Sequence, residues 1–164
     1  MLPKSICFVD LETTGTNAYF GKIIEIGILK VENNKVVKRY KQLLNPQTYL
    51  DPFIENLTGI RAYELENQPT FESIKDEIYE ILKDSVFVAH NVRFDYGFIK
   101  SEFRRAGITY KSKHFCTIKL ARLLYPDLKK YNLDSIIQNF NIKCANRHRA
   151  FDDAAVLWEF VKKK

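Results

Sequence analysis

Residues 6–15, with the sequence ICFVDLETTG, constrain this chain most, because they place two carboxylates at the end of an apolar run. The run is too short for a helix and ends in a Thr-Thr-Gly turn, which predicts a buried β-strand. Alternation along a strand puts Asp10 and Glu12 on the same face as Ile6 and Phe8. Adjacent carboxylates near an apolar interior are costly unless a cation neutralises them. A strand end that is open to solvent would remove that cost, so this stretch alone leaves both interpretations open.

Length and composition predict one domain, spanning residues 1–164, with a sizeable core. Because no leader peptide and no apolar run of membrane-spanning length is evident, we expect a cytoplasmic protein with no membrane partner. Three scattered cysteines argue against a disulfide framework or a zinc site and predict reduced thiols. The formal charge of +6 favours polyanionic partners such as nucleic acid, although many soluble domains carry a similar charge.

The first half of the chain predicts three antiparallel strands. The second covers residues 22–30 and the third residues 36–44, with an Asn-Asn turn between them. Glu25 lies inside the second strand, where a hydrogen-bonded carboxylate is favoured over a catalytic one. Residues 45–68 are rich in Pro, Gly and Asn and are predicted to be irregular. Their apolar segment at residues 57–60 either folds under the loop or presses against a stacked base.

The second half predicts alternating helices and strands. Thr70 begins an amphipathic helix, and the apolar residues 85–89 then form a strand parallel to the first, as in a β-α-β crossover. Asn91 is predicted to cap a helix over residues 93–106, and residues 114–117 form a fifth strand that ends in a Thr cap. Further helices follow at residues 118–125, 133–140 and 149–161. The fold class is therefore α/β, with a mixed five-stranded sheet flanked by helices.

Two more acids point towards the protein by helical phase. Asp95 lies near the middle of the apolar face of its helix, unless it serves only as a local hydrogen-bond acceptor at the helix start. Asp153 borders the apolar stripe of the last helix, whereas Asp152 points away. His148, in a basic loop, precedes Asp153 by five positions.

Asp10, Glu12, Asp95 and Asp153 therefore come from a strand end and two helix starts, which can meet at one edge of an α/β sheet. Carboxylate oxygens suit Mg²⁺ or Mn²⁺, and two such ions can clamp an in-line displacement at phosphorus. His148, with an ordinary pKa of about 6.5, is suited to take a proton from the attacking water. No glycine-rich loop of the P-loop type is present in the sequence, which removes the main signature of nucleoside triphosphate hydrolysis.

Three motifs now carry a resemblance that spans nearly the whole chain: FVDLETTG, HNVRFD and HRAFDD. The segments IIEIG, LTGI and QPTF support it. The chain resembles the DnaQ-like exonucleases of the DEDD superfamily, in the branch with an active-site histidine that includes relatives of the DNA polymerase III epsilon subunit. The resemblance implies an RNase H-like fold and stepwise 3′-to-5′ release of nucleoside 5′-monophosphates from single strands with a free 3′ end.

The resemblance also implies roles for individual residues. Asp10, Glu12 and Asp153 would bind the first of two Mg²⁺ or Mn²⁺ ions, with Asp10 bridging to the second. Asp95 would act as the fourth acid, often through water, and His148 as the general base. The residues that would contact the terminal nucleotide are Leu11, Thr13, Leu57, Gly59, Ile60, His90 and Asn91.

The sequence leaves the substrate open. Hydrolysis of single-stranded DNA, in proofreading with a DNA polymerase or in repair, is the favoured function. Trimming of RNA or short oligoribonucleotides is the alternative, because no residue declares a contact to a 2′-hydroxyl. A non-catalytic module that binds nucleic acid beside a polymerase is disfavoured, since such a module has no reason to bury four acids.

Overall fold

The structure is a computed structural model that describes residues 1–163. Its strands are β1 (Ser5–Thr13), β2 (Ile23–Glu32), β3 (Lys35–Leu43), β4 (Val86–Ala89) and β5 (His114–Cys116). Its helices are α1 (Pro52–Thr58), α2 (Ala62–Leu65), α3 (Phe71–Leu82), α4 (Val92–Arg105), α5 (Thr117–Leu124), α6 (Leu133–Phe140) and α7 (Ala150–Lys162).

The five strands form one mixed sheet in the order β3-β2-β1-β4-β5. β1 pairs antiparallel with β2 and parallel with β4, and β4 pairs parallel with β5. The predicted sheet, including the parallel crossover through α3, is confirmed. β1 lies at the centre, so its carboxyl end is bordered by elements from both halves of the chain.

The two faces of β1 pack against different helices. Cys7, Val9 and Leu11 belong to an apolar cluster with side chains of α3 and α4. Ile6 and Phe8 belong to a second cluster with side chains of α6 and α7. The predicted alternation is confirmed, and Asp10 and Glu12 continue the row that faces α7.

Local signals explain most element boundaries. Asn33 and Asn34 adopt φ of 49° and 63° in the turn between β2 and β3, a conformation that asparagine tolerates well. Thr70 accepts a hydrogen bond from the N–H of Ser73 at the start of α3. The three cysteines are free thiols, as predicted. Within residues 1–163, no helix combines the length and the apolarity that crossing a bilayer requires.

The prediction that residues 45–68 are irregular is wrong, because α1 and α2 lie there. Asp51 caps α1 by accepting the N–H of Phe53, Pro52 occupies the first turn, and Gly59 ends the helix at φ 74°. Proline is favoured at the first helical position, where its missing N–H leaves no bond unmade. These helices of four and seven residues are too short to show an apolar period.

Two predicted caps are also wrong. Asn91 stands at the N-cap position of α4, but it adopts φ 66° and its side chain makes no capping hydrogen bond. Thr117 is the first residue of α5 rather than a cap, and its buried hydroxyl donates to the carbonyl of Ala89. Both residues lie at the carboxyl end of the parallel strands, where the chain turns towards the acidic site.

Candidate active site

Three acids that are far apart in the sequence lie together at the end of β1. Asp10, Glu12 and Asp153 can each place one carboxylate oxygen within 4.8 Å of the other two. The β1 backbone supplies the first two acids from one face of the strand. The first turn of α7 supplies the third, which is only 3% exposed. The separations suit oxygen ligands that share one cation.

Asp95 completes the acidic environment from the first turn of α4. It is 3% exposed, and its charge raises the pKa of Asp10 and of Glu12. Burial raises the pKa of Asp95 well above its usual value, and hydrogen bonds from the backbone of Asp95 and Leu11 oppose this only partly. The inward direction predicted for this carboxylate is confirmed, although Asp95 is outside the group of three whose oxygens converge.

Burial makes the charged forms of these three acids unfavourable, and this raises their pKa values. Burial is the main cause that raises the pKa of Asp10 well above its usual value, that of Glu12 to about 8 and that of Asp153 to about 6. Burial therefore favours the protonated forms of these acids, and a bound cation would replace the protons. The donor set, entirely carboxylate oxygen, fits a hard divalent cation.

Arg147 is the positively charged side chain in contact with the cluster. Its Nη1 atom donates to Asp153 Oδ2 at 2.5 Å, and its Nε atom donates to Asp134 Oδ1 on α6 at 2.6 Å. This guanidinium lowers the pKa of Asp10, Glu12 and Asp153, although less than burial raises them. The sequence showed Arg147 only as one member of a basic loop and gave no signal for its partners.

His148 lies directly before α7 in a left-handed backbone conformation, with φ 64°. Its backbone N–H donates to Asp153 Oδ2 at 3.1 Å, which fixes the loop against the acid. Partial burial, followed by the charge of Arg147, lowers the pKa of the imidazole. The ring is therefore neutral at physiological pH and is able to accept a proton.

Glu25 anchors the start of α7 to the sheet. It is 3% exposed, and its carboxylate accepts hydrogen bonds from the guanidinium of Arg149 and from the N–H of Ala150 at 2.7 Å. The prediction that Glu25 is a hydrogen-bonded carboxylate is confirmed. Because Glu25 lies opposite Glu12 in the β1–β2 register, this contact holds α7 beside the acidic end of β1.

The residues predicted to contact a terminal nucleotide differ in how exposed their side chains are. Leu11 and Thr13 are buried at the end of β1, and the hydroxyl of Thr13 donates to the carbonyl of Gly15. Leu57 is 43% exposed, and the space around Gly59 is open. Ile60 is 1% exposed and packs in a cluster with Ile24, Leu50 and Leu65, so its side chain offers little surface to a base.

The turn after β4 holds the last two predicted contacts. His90 is half-buried, with Nδ1 2.8 Å from Thr117 Oγ1 and Nε2 2.7 Å from the carbonyl oxygen of Tyr131. Burial lowers the pKa of His90 to about 4, so the ring is neutral. Both ring nitrogens therefore already have partners within the protein. Asn91, in contrast, is exposed beside the site.

Comparison with known proteins identifies relatives of this chain. The exonuclease family model RNase_T matches residues 7–160. A PolC-type DNA polymerase III of Caldanaerobacter subterraneus is 40% identical over 154 residues, which cover 93% of this chain and 11% of the relative. The 3′-5′ exonuclease DinG of Staphylococcus aureus is 40% identical over 148 residues, which cover 90% of this chain and 16% of the relative. The chain therefore spans a small part of these longer proteins.

Solved structures show the same fold. Exonuclease I of Escherichia coli in complex with a dT13 oligonucleotide aligns with a TM-score of 0.87 at 17% identity, covering 98% of this chain and 41% of that one. Exonuclease X in complex with 5′ overhanging duplex DNA aligns with a TM-score of 0.75 at 26% identity, covering 97% and 92%. The RNase H-like sheet that the motifs implied is confirmed.

Proposed function

This chain belongs to the RNase_T exonuclease family, within the DnaQ-like DEDD group, and from that membership we propose that it is a metal-dependent 3′-to-5′ exonuclease. The observation that carries the proposal is the convergence of Asp10, Glu12 and Asp153 beside His148. Burying four acids at the carboxyl end of the sheet destabilises the fold unless cations neutralise them. Phosphodiester hydrolysis with bound metal ions accounts for their presence.

We propose two Mg²⁺ or Mn²⁺ ions as the cofactors. Asp10, Glu12 and Asp153 would hold the first, and Asp10 would be shared with the second. Asp95 would contribute through water. When bound, such ions supply Lewis-acid polarisation of the phosphate and lower the pKa of water. The raised pKa values of these acids support the assignment, since burial disfavours their charged forms and a bound cation would offset that cost.

His148 is proposed to act as the general base. Its lowered pKa keeps the imidazole free to accept a proton from water at neutral pH. The water oxygen then forms a bond to phosphorus while the bond from phosphorus to the 3′ oxygen breaks. The products are a nucleoside 5′-monophosphate and a strand with a new 3′-hydroxyl. The hydrogen bond from the backbone N–H of His148 to Asp153 holds the proposed base close to this acid.

The proposed substrate is a single strand with a free 3′ end, and DNA is favoured. Support comes from the exonuclease I complexes with dA16 and dT13 and from the relatives named 3′-5′ exonuclease. Leu11 and Thr13 would position the terminal nucleotide from β1, with Leu57 against its base and Asn91 at the opposite side. The similarity to a PolC-type polymerase supports proofreading beside a polymerase as the setting.

Matched DNA and RNA oligonucleotides with Mn²⁺ or Mg²⁺ test the proposal. We expect stepwise release of nucleoside 5′-monophosphates from the 3′ end of the DNA, with slower turnover of the RNA. Asp10→Asn should abolish turnover without lowering the melting temperature measured in EDTA, because asparagine keeps the size of the side chain and replaces a carboxyl group whose charged form is disfavoured by burial. His148→Ala should still bind Mn²⁺, as measured by calorimetry. Its rate of hydrolysis should be about 10²–10⁴-fold lower. Intact oligonucleotides with either metal would contradict the proposal.

A further inference from the structure

The exposed face of α4 is entirely basic. Its exposed residues are Arg93, Lys100, Arg104 and Arg105, of which Arg105 has a side chain that is only 28% exposed. Both acids of this helix, Asp95 and Glu102, are buried. Spacings of seven and four residues place Arg93, Lys100 and Arg104 along one stripe of the helix. The stripe begins at Arg93, two residues before Asp95, and extends about 16–17 Å along the helix axis to Arg104.

An exposed aromatic pair lies at the far end of this stripe. Tyr19 and Phe20 are 69% and 78% exposed, although aromatic side chains of this size are usually covered. Their ring centroids are 4.9 Å apart in an edge-to-face arrangement. The guanidinium of Arg104 lies 5.8 Å from the centroid of the Tyr19 ring. Arg104, the last basic residue of the stripe, therefore lies next to the aromatic pair.

The loop that presents the pair is held in place by hydrogen bonds. The side-chain oxygen of Asn17 accepts the N–H groups of both Tyr19 and Phe20. Arg105 donates to the carbonyls of Ala18, Tyr19 and Gly21. These contacts fix the backbone beneath the two rings, so a ligand that binds there does not have to order the loop.

The same loop rests on α4 close to the acidic site. A Cβ at Gly97, two residues after Asp95, would lie 3.8 Å from the Cβ of Ala18, which is ordinary van der Waals contact. At the other end of the loop, a Cβ at Gly21 would be 2.9 Å from the Phe98 ring. The loop that follows β1 therefore lies against α4 at Gly97 and Phe98, within one turn of Asp95, and its Tyr19 ring lies near Arg104.

We propose that the basic face of α4 and the Tyr19–Phe20 pair form a track for single-stranded nucleic acid on the 5′ side of the hydrolysed nucleotide. This rests on the function proposed above. Basic side chains attract backbone phosphates, and exposed aromatic rings stack with bases of any sequence. Bases in a duplex are already stacked on each other, so the rings fit an unpaired strand.

Binding and hydrolysis test the track separately. Binding of fluorescently labelled dT12 is measured by anisotropy in EDTA, so turnover does not interfere. The variant carrying Tyr19→Ala and Phe20→Ala should bind dT12 about tenfold or more weakly. Leu123→Ala, which truncates an equally exposed side chain on α5, should change the Kd less than twofold. Hydrolysis of the p-nitrophenyl ester of thymidine 5′-monophosphate, which has no 5′ strand, should be unchanged in both variants.

Salt dependence tests the basic stripe. Replacing Arg93, Lys100 and Arg104 with alanine should reduce the slope of log Kd against log salt by about 2, because each lost contact to a single strand contributes about 0.7. Removing the same charge from β3, with Lys35→Ala, Lys38→Ala and Arg39→Ala, should leave most of the slope. These control residues are exposed within the first five positions of the edge strand β3, and Lys35 lies at the end of the sheet opposite the acids.

The outcomes separate the two proposals. A wild-type protein that binds dT12 through Tyr19 and Phe20 but hydrolyses neither substrate would contradict the exonuclease and retain the track. Normal hydrolysis with an unchanged Kd in the aromatic variant would contradict the track and retain the exonuclease. Equal loss of binding to a 12-base-pair duplex would also overturn the track, since paired bases would then be its ligand. All variants are first checked for an unchanged melting temperature.

Discussion

The contact between Glu25 and the start of α7 allows a worked prediction about stability. Glu25 Oε1 accepts the Ala150 N–H at 2.7 Å, and Oε2 accepts Arg149 Nη2 at 2.6 Å. Arg149 Nε lies 3.1 Å from both oxygens. Glu25→Gln keeps the size of the side chain but removes its charge and puts an NH₂ group where one of these donors needs an acceptor.

Three effects set the size of the loss. Breaking a buried ion pair from one side costs about 3–5 kcal/mol. The Arg149 side chain is 38% exposed, so water can solvate the freed guanidinium and the cost falls towards the lower end. Loss of the Glu25 charge also relieves repulsion on Glu12, which offsets a further part. We therefore expect a loss of about 2–4 kcal/mol, or roughly 4–16 °C in melting temperature.

Urea unfolding of a double-mutant cycle measures this quantity. The cycle comprises Glu25→Gln, Arg149→Met and the double variant, and we expect a coupling free energy of about 1–3 kcal/mol. Glu80→Gln, which breaks an ion pair with Lys83 between two exposed side chains, is the control and should leave the free energy of unfolding nearly unchanged. The kcat of Glu25→Gln should also fall, because the first turn of α7 carries Asp153. A loss below 1 kcal/mol with no coupling would refute the reasoning.

Three further predictions follow from the site. Without metal, the raised pKa of Glu12 gives stability that is present below pH 4.5 and lost as the pH rises to about 8. Between pH 5 and pH 8, Glu12→Gln should therefore lose less unfolding free energy than the wild-type protein. This is measured by urea unfolding with a chelator present. Gly27→Ala should lower the free energy of unfolding by about 1–3 kcal/mol, because its Cβ would collide with the backbone of Phe151. The control Gly97→Ala meets only ordinary contacts and should not lower the melting temperature. Arg147→Met should tighten Mn²⁺ binding roughly tenfold at pH 8 by calorimetry, since it removes a competing positive charge. Weaker Mn²⁺ binding in that variant would show that Arg147 mainly positions the acids.

The sequence predicted the features that depend on local pattern. Alternation in β1 determined which residues face which layer, and helical phase separated Asp153 from Asp152. Both assignments rest on a period of two or about 3.6 residues, which a single stretch of sequence displays directly. The same reasoning missed α1 and α2, because seven and four residues are too few to show a period.

The contacts that could not be predicted are those between distant residues. Arg149 lies 124 positions from Glu25, and both residues were visible in the sequence without any sign that they meet. His90 and Ile60 were expected at the substrate because of their motifs. The structure uses the His90 ring to join Thr117 and Tyr131, and it packs Ile60 with Ile24, Leu50 and Leu65. A motif identifies a segment, but packing decides which of its side chains remain available.

The segment from Arg147 to Arg149 shows why the basic residues around His148 matter. The sequence suggested that they give a positive loop, yet the two arginines bind different acids in different parts of the fold. Arg147 joins α6 to Asp153, and Arg149 joins β2 to the start of α7. His148 lies between these anchors at φ 64°, a conformation that costs a non-glycine residue free energy and persists only when its surroundings impose it. The ion pairs of the two arginines supply that constraint, so the charges beside His148 fix the position of the proposed base relative to Asp153.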